Sequence, residues 1–127
     1  MAMAEKKFAF ILFTSESRPD VPAGALQLAT NMKAFDADID LFLMDEGALL
    51  AKPGYAAALA ARQKPGGFSS VETLLKTLVE DFGVRVYVCA SCVKPHNLDP
   101  AHLAFGAVVK PGSYLGELLL EREGLTF

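Results

Sequence analysis

Cysteine is scarce in this chain, long apolar runs are missing, and the basic residues never gather. Only two of the 127 residues are cysteine, at positions 89 and 92, too few for the dense disulfide frame of small secreted domains. That scarcity fits a reducing, cytoplasmic compartment. No apolar stretch approaches the roughly 20 residues that a membrane-crossing helix needs. The N-terminal MAMAEKKFAFILF has no small-residue cleavage site after its apolar part, so neither a membrane partner nor a secretory leader is expected. Twelve Lys and Arg against fifteen Asp and Glu give a formal charge of −3. Without a basic run the chain lacks the electrostatic footprint that a phosphate backbone demands, and nucleic acid is not an expected partner. No repeat and no linker interrupts the sequence, and 52% hydrophobic residues can bury a sizeable core. One domain over 1–127 is expected.

What is present is an alternation of apolar strands and amphipathic segments. KFAFILF (7–13) is a continuous apolar run, as expected of a strand buried on both faces. Asp20 is placed to cap a helix over 21–34, where Ala25, Leu28, Ala29 and Met32 recur at helical spacing. DIDLFLM (38–44) reads as the second strand and YAAALAAR (55–62) as a short helix. Ser69 or Ser70 then caps a helix over 71–83 that Gly83 stops. VRVYV (84–88) is the third strand, LDPAHLAF (98–105) a helical turn and GAVVK (106–110) the fourth strand. GSYLGELLLER (112–122) reads as the last helix and LTF (125–127) as a fifth strand. This order predicts an α/β fold, a three-layer α/β/α sandwich with a mainly parallel five-stranded sheet of Rossmann or flavodoxin-like type.

Sheets of this kind place their sites beyond the carboxyl ends of the strands. Three polar clusters fall there: TSESR after the first strand, DEG after the second and CASCVK after the third. The CxxC pair Cys89 and Cys92 leaves several chemistries open. It can work as a redox dithiol, though Pro95 interrupts the helix that such dithiols usually open. With His96 and His102 it offers four ligand types that zinc accepts, but the four crowd into fourteen positions across Pro95 and Pro100, so no metal is expected. Either thiol can also be a packed small hydrophobe. Lys94 lies close enough in sequence to favour a thiolate. Its place before Pro95 disfavours the α conformation and predicts a turn rather than a regular helix. Asp45 and Glu46 could serve as acid and base, but Asp45 also suits a helix N-cap and Gly47 a turn, and the structural role is the favoured one. No Gly-rich phosphate cradle follows a core strand, and no cofactor is expected.

Taken together, DIDLFLMDEGALL, LVEDFGVRVYVC, CASCVKPHNL and GSYLGELLLEREGLTF resemble the DsrE/DsrF-like family, which includes the sulfur-relay subunits DsrE and TusD and the YchN-like proteins. The resemblance spans nearly the whole chain in order and spacing. Relay members carry a cysteine directly after the third strand and, eight residues later, a glycine usually preceded by arginine. Here Cys89 takes the first position, and Asn97 preceded by His96 takes the second. Asn is the next-best residue after Gly for a left-handed backbone. The resemblance implies that Cys89 accepts sulfane sulfur as a persulfide and passes it to an acceptor thiol, with Cys92 as a candidate resolving partner. It implies that Asp45, Glu46 and Gly47 border the cysteine pocket, near Lys94 and His96. It also implies a homo-oligomer, trimer or hexamer, with sulfur donor and acceptor proteins as partners. The alternative is a noncatalytic oligomeric module that keeps the fold and binds a small ligand or metal between DEG and CASC.

Overall fold

The computed structural model describes residues 6–127. Five strands form one sheet: β1 (Lys7–Leu12), β2 (Asp38–Leu43), β3 (Arg85–Cys89), β4 (Val108–Lys110) and β5 (Glu123–Thr126). Helices α1 (Asp20–Lys33), α2 (Tyr55–Ala60), α3 (Val71–Lys76), α4 (Ala90–Val93) and α5 (Gly112–Glu121) fill the connections. The strand order is β4-β3-β2-β1-β5, and all four neighbouring pairs are parallel.

That order decides how the layers form. Each step from β1 to β4 moves one place in the same direction, and right-handed crossovers then put the intervening helices on one face. The return from β4 to β5, beside β1, places α5 on the other. On the first face, Phe10, Leu12, Leu41, Leu43 and Val88 pack with Leu26 and Ala29 of α1 and Leu74 and Leu75 of α3. Alternation along the strands sends Phe42, Tyr87 and Cys89 to the second face, under Leu118 of α5.

Charge enters the second face at the opposite end from Cys89. Asp40, 1% exposed, receives Arg85 Nε at 3.0 Å and Arg122 Nε at 3.3 Å. Arg122, 6% exposed, also meets Asp38 Oδ1 at 3.0 Å and donates to the Phe8 and Asp38 carbonyls at 3.1 and 3.2 Å. Each buried charge thus has an opposite partner, the condition under which a buried ion is tolerated. The network ties the end of α5 to β1 and β2. The β5 strand continues the tie: Phe127 N donates to Ile11 O at 2.9 Å, and the Phe127 ring stacks on Phe10 at 5.3 Å.

Several local expectations shift. Asp20 opens α1 without capping it, and its Oδ1 instead accepts from Lys64 N at 3.2 Å. Ser70 does cap α3, accepting from Thr73 N at 3.0 Å. The helix expected over 71–83 keeps its α register only to Lys76 and widens into a π turn over Thr77–Asp81 before Gly83 closes it at φ 65°. No helix forms over 98–103. That connection ends in a 3-10 turn, Ala104–Gly106, with Phe105 at φ 58°. A second 3-10 segment, Asp45–Ala51, follows β2.

Candidate functional site at the carboxyl ends of the strands

Cys89 is the last residue of β3 and the residue from which α4 starts. Its side chain packs with Phe42, Tyr87 and Leu118 and is 3% exposed. Cys92 lies one turn further on. It is half-buried, contacts both core clusters, and its Sγ accepts a hydrogen bond from Asp45 N at 3.2 Å. Both cysteines are free thiols. Burial pushes the Cys92 thiol above its ordinary value, the Asp45 N–H opposes that shift, and the neighbouring Cys89 thiol adds to it.

The backbone around the pair departs from the expected open turn. Lys94 takes the α conformation at φ −68°, ψ −48° despite Pro95, and α4 begins directly after Cys89. The helix is only four residues long, so few hydrogen bonds depend on the pre-proline position. The chain keeps turning afterwards: His96 N bonds to Cys92 O at 3.3 Å and Leu98 N to Val93 O at 2.9 Å. Asn97 has φ 54°, the left-handed position that Asn tolerates.

The DEG residues surround this turn in three different ways. Asp45 is exposed, held at φ 50°, with its carboxylate 3.4 Å from His96 Nε2. Its side chain caps no helix. Glu46 is turned away toward the loop after β1. Its Oε1 accepts from Ser15 N at 3.0 Å, Ser17 N at 3.0 Å and Ser17 Oγ at 2.9 Å, and Ser15 Oγ donates to its carbonyl at 2.6 Å. The Ser17 and Ser15 N–H groups, with the Ser17 hydroxyl, hold the Glu46 carboxyl below the usual carboxylate range. Gly47 is required by proximity: a Cβ there would stand 1.9 Å from Leu12 O. The three residues form a strap, fastened by Glu46 and Gly47, that presents the Asp45 N–H to Cys92.

Some expected neighbours are elsewhere. Lys94 is exposed and, among the described residues, has no ion pair. His102 pairs with Asp99 Oδ2 at 2.9 Å on an exposed turn. Among the described residues no three His, Cys, Asp or Glu side chains gather as a metal-binding set. At the Cys89 end of the second face stands Lys110, the register partner of Cys89 on β4, with Nζ 4.8 Å from the centre of the Tyr114 ring. Tyr114 packs edge-on against Tyr87 at 5.0 Å. Burial, helped by Tyr114, pushes the Tyr87 hydroxyl up to about 12. Sequence reasoning missed Lys110, which strand register brings beside Cys89, and Tyr87 and Tyr114, which share its face of the sheet through strand alternation and the packing of α5. It also missed Ser15, fully buried, whose only sequence signal is its place in a polar run after an apolar strand.

No curated protein sequence matches this chain. Among solved structures, the ychN protein from E. coli superposes with a TM-score of 0.75 at 21% identity, over 98% of this chain and 100% of that one. A conserved protein of unknown function from Bacteroides thetaiotaomicron gives 0.60 at 16% identity, over 96% and 95% of the two chains. One from Methanobacterium thermoautotrophicum gives 0.59 at 15%, over 98% and 100%. At these identities the likeness is one of fold. The profile of the DsrE/DsrF-like family matches residues 6–127, and the chain belongs to that family.

Proposed function

We propose that this protein carries sulfane sulfur as a persulfide on Cys89 and passes it to an acceptor thiol, working as a homo-oligomer among sulfur donor and acceptor proteins. The observation that supports this reading most directly is the pair of free thiols one turn apart at the end of β3, with an Asp45 N–H on the Cys92 sulfur. In loading, a cysteine thiolate takes the outer sulfur of a donor persulfide and the donor leaves as a thiol. In discharge, an acceptor thiolate takes the same sulfur from Cys89. No helix among the described residues is long and apolar enough to cross a membrane, and the reading needs none.

The burial of Cys89 favours a second reading, a noncatalytic oligomeric module that binds a small ligand. One cavity offers such a ligand room. It measures about 440 Å³ and opens at the β3–β4 edge, lined by Val84, Arg85, Tyr87, Phe105, Val108 and Lys110.

Intact-mass measurement after incubation with inorganic polysulfide and a wash in glutathione separates the two. The carrier reading expects a gain of about 32 Da, one sulfur, in wild type and in Cys92→Ser, and none in Cys89→Ser. Absence of the adduct from every variant, with both thiols titrating as free beforehand, would count for the binding module.

A further inference from the structure

The two thiols differ in what can reach them. Cys89 is 3% exposed and closed in by Phe42, Tyr87 and Leu118. Cys92 is half-buried, on a turn whose neighbours Ala90 and Ser91 are exposed, and it bridges the two core clusters. Of the two, Cys92 is the residue a donor in solvent meets first, and Cys89 lies behind it in the core. Among the described residues, moreover, a backbone N–H is directed at the Cys92 sulfur and none at that of Cys89.

From this we infer an order: Cys92 receives sulfur from outside and hands it inward to Cys89, which stores it. The inference rests on the carrier reading and assigns the two cysteines separate tasks within it. In the first step the Cys92 thiolate attacks the outer sulfur of a donor persulfide, R–S–SH. The donor S–S bond breaks, R–S⁻ leaves and takes up a proton, and Cys92 becomes Cys92–S–SH. In the second step the Cys89 thiolate attacks that outer sulfur. A new S–S bond forms on Cys89 as the one on Cys92 breaks, and the proton released by Cys89 passes to the solvent. The sum is one sulfur moved and no net oxidation.

Each residue of the strap then has a task. A thiolate leaves more readily when its charge is stabilised, and the Asp45 N–H at 3.2 Å lies where the Cys92 thiolate is released. Glu46 holds that N–H in place through Ser15 and Ser17, Met44 N bonds to the Leu12 carbonyl, and Gly47 lets the strap pass close to that oxygen. Burial of Cys89 serves storage, since a sulfane sulfur open to solvent would be stripped by any small thiol. It also explains why CxxC spacing is useful here without disulfide chemistry.

The test is the initial rate of polysulfide loading, followed by mass with and without a glutathione wash. Cys92→Ser is expected to load at least about tenfold more slowly than wild type yet reach the same wash-resistant adduct. Cys89→Ser is expected to load at the wild-type initial rate and lose its sulfur in the wash. Wild-type loading rates in Cys92→Ser would overturn the order. So would sulfide release with formation of a Cys89–Cys92 disulfide, which would make Cys92 a resolving thiol. If no variant loads at all, the carrier reading itself fails. Folding of the variants is taken out of the question by brief N-ethylmaleimide labelling of wild type, where Cys92 is expected to react at least about tenfold faster than Cys89. Equal labelling, or faster labelling of Cys89, would also overturn the order.

Discussion

Beneath α1 and α3, Phe10, Leu41 and Leu75 are packed among aliphatic side chains. Beneath α5, Asp40 and Arg122 are buried at one end of the same strands, and Cys89 lies with two tyrosines at the other. The first face is closed by several helices and holds what a core needs. The second has a single helix over it and, among the described residues, holds the buried charges Asp40 and Arg122 and the buried thiol. Alternation along a strand makes this division possible, because each residue on one face leaves its neighbour free for the other. The first face therefore carries stability, and the second can be given over to ion pairing and sulfur.

The contrast can be broken most forcefully from the first face. Phe10→Ala removes a fully buried ring and its stack on Phe127, and is expected to cost about 3–5 kcal/mol in urea unfolding. On the second face, Arg122→Met leaves Asp40 with only the exposed Arg85 as partner and is expected to cost about 3 kcal/mol. Combining it with Asp40→Leu should recover most of that loss, because an apolar pair avoids the desolvation of both ions. No comparable recovery exists for Phe10→Ala. A double variant as unstable as Arg122→Met alone would show that the second face depends on its charges.

The smallest effect is expected where the loop after β1 meets the strap. Glu46 has a lowered folded pKa, so its contribution to stability is fully present above the ordinary value of 4.5 and is lost as pH falls through the depressed one. Glu46→Gln removes that dependence. The stability difference between wild type and variant should shrink from pH 6 to pH 3, as measured by urea unfolding at both values.

The strands were legible because KFAFIL, DIDLFL and RVYVC are apolar runs that end at polar clusters. Cys89 was legible in place, being the end of such a run, but its burial was not, since the cover comes from α5. The charge network escaped because it is built by pairing at a distance: Asp38 and Asp40 meet Arg122 as α5 and β5 return beside β1, and Asp40 meets Arg85 through β2–β3 register. Gly47 reads as a turn residue, yet the strap needs it for the closeness of Leu12 O. Lys94 looked like the cation of the site because it is near in sequence, whereas β3–β4 register brings Lys110. Local patterns revealed the elements, and pairing between distant segments set the chemistry around them.

Arg122 reaches back 114 residues to the Phe8 carbonyl. A nascent chain emerging from the ribosome therefore has the strands and helices of the first face well before it has the buried guanidinium that pairs with Asp40. Until Arg122 appears, Asp40 has the exposed Arg85 as its partner, and burying the carboxylate fully on that pair alone is costly. The second face thus dries out fully only once Arg122 has emerged, and the cover over Cys89 waits on the same stretch of chain.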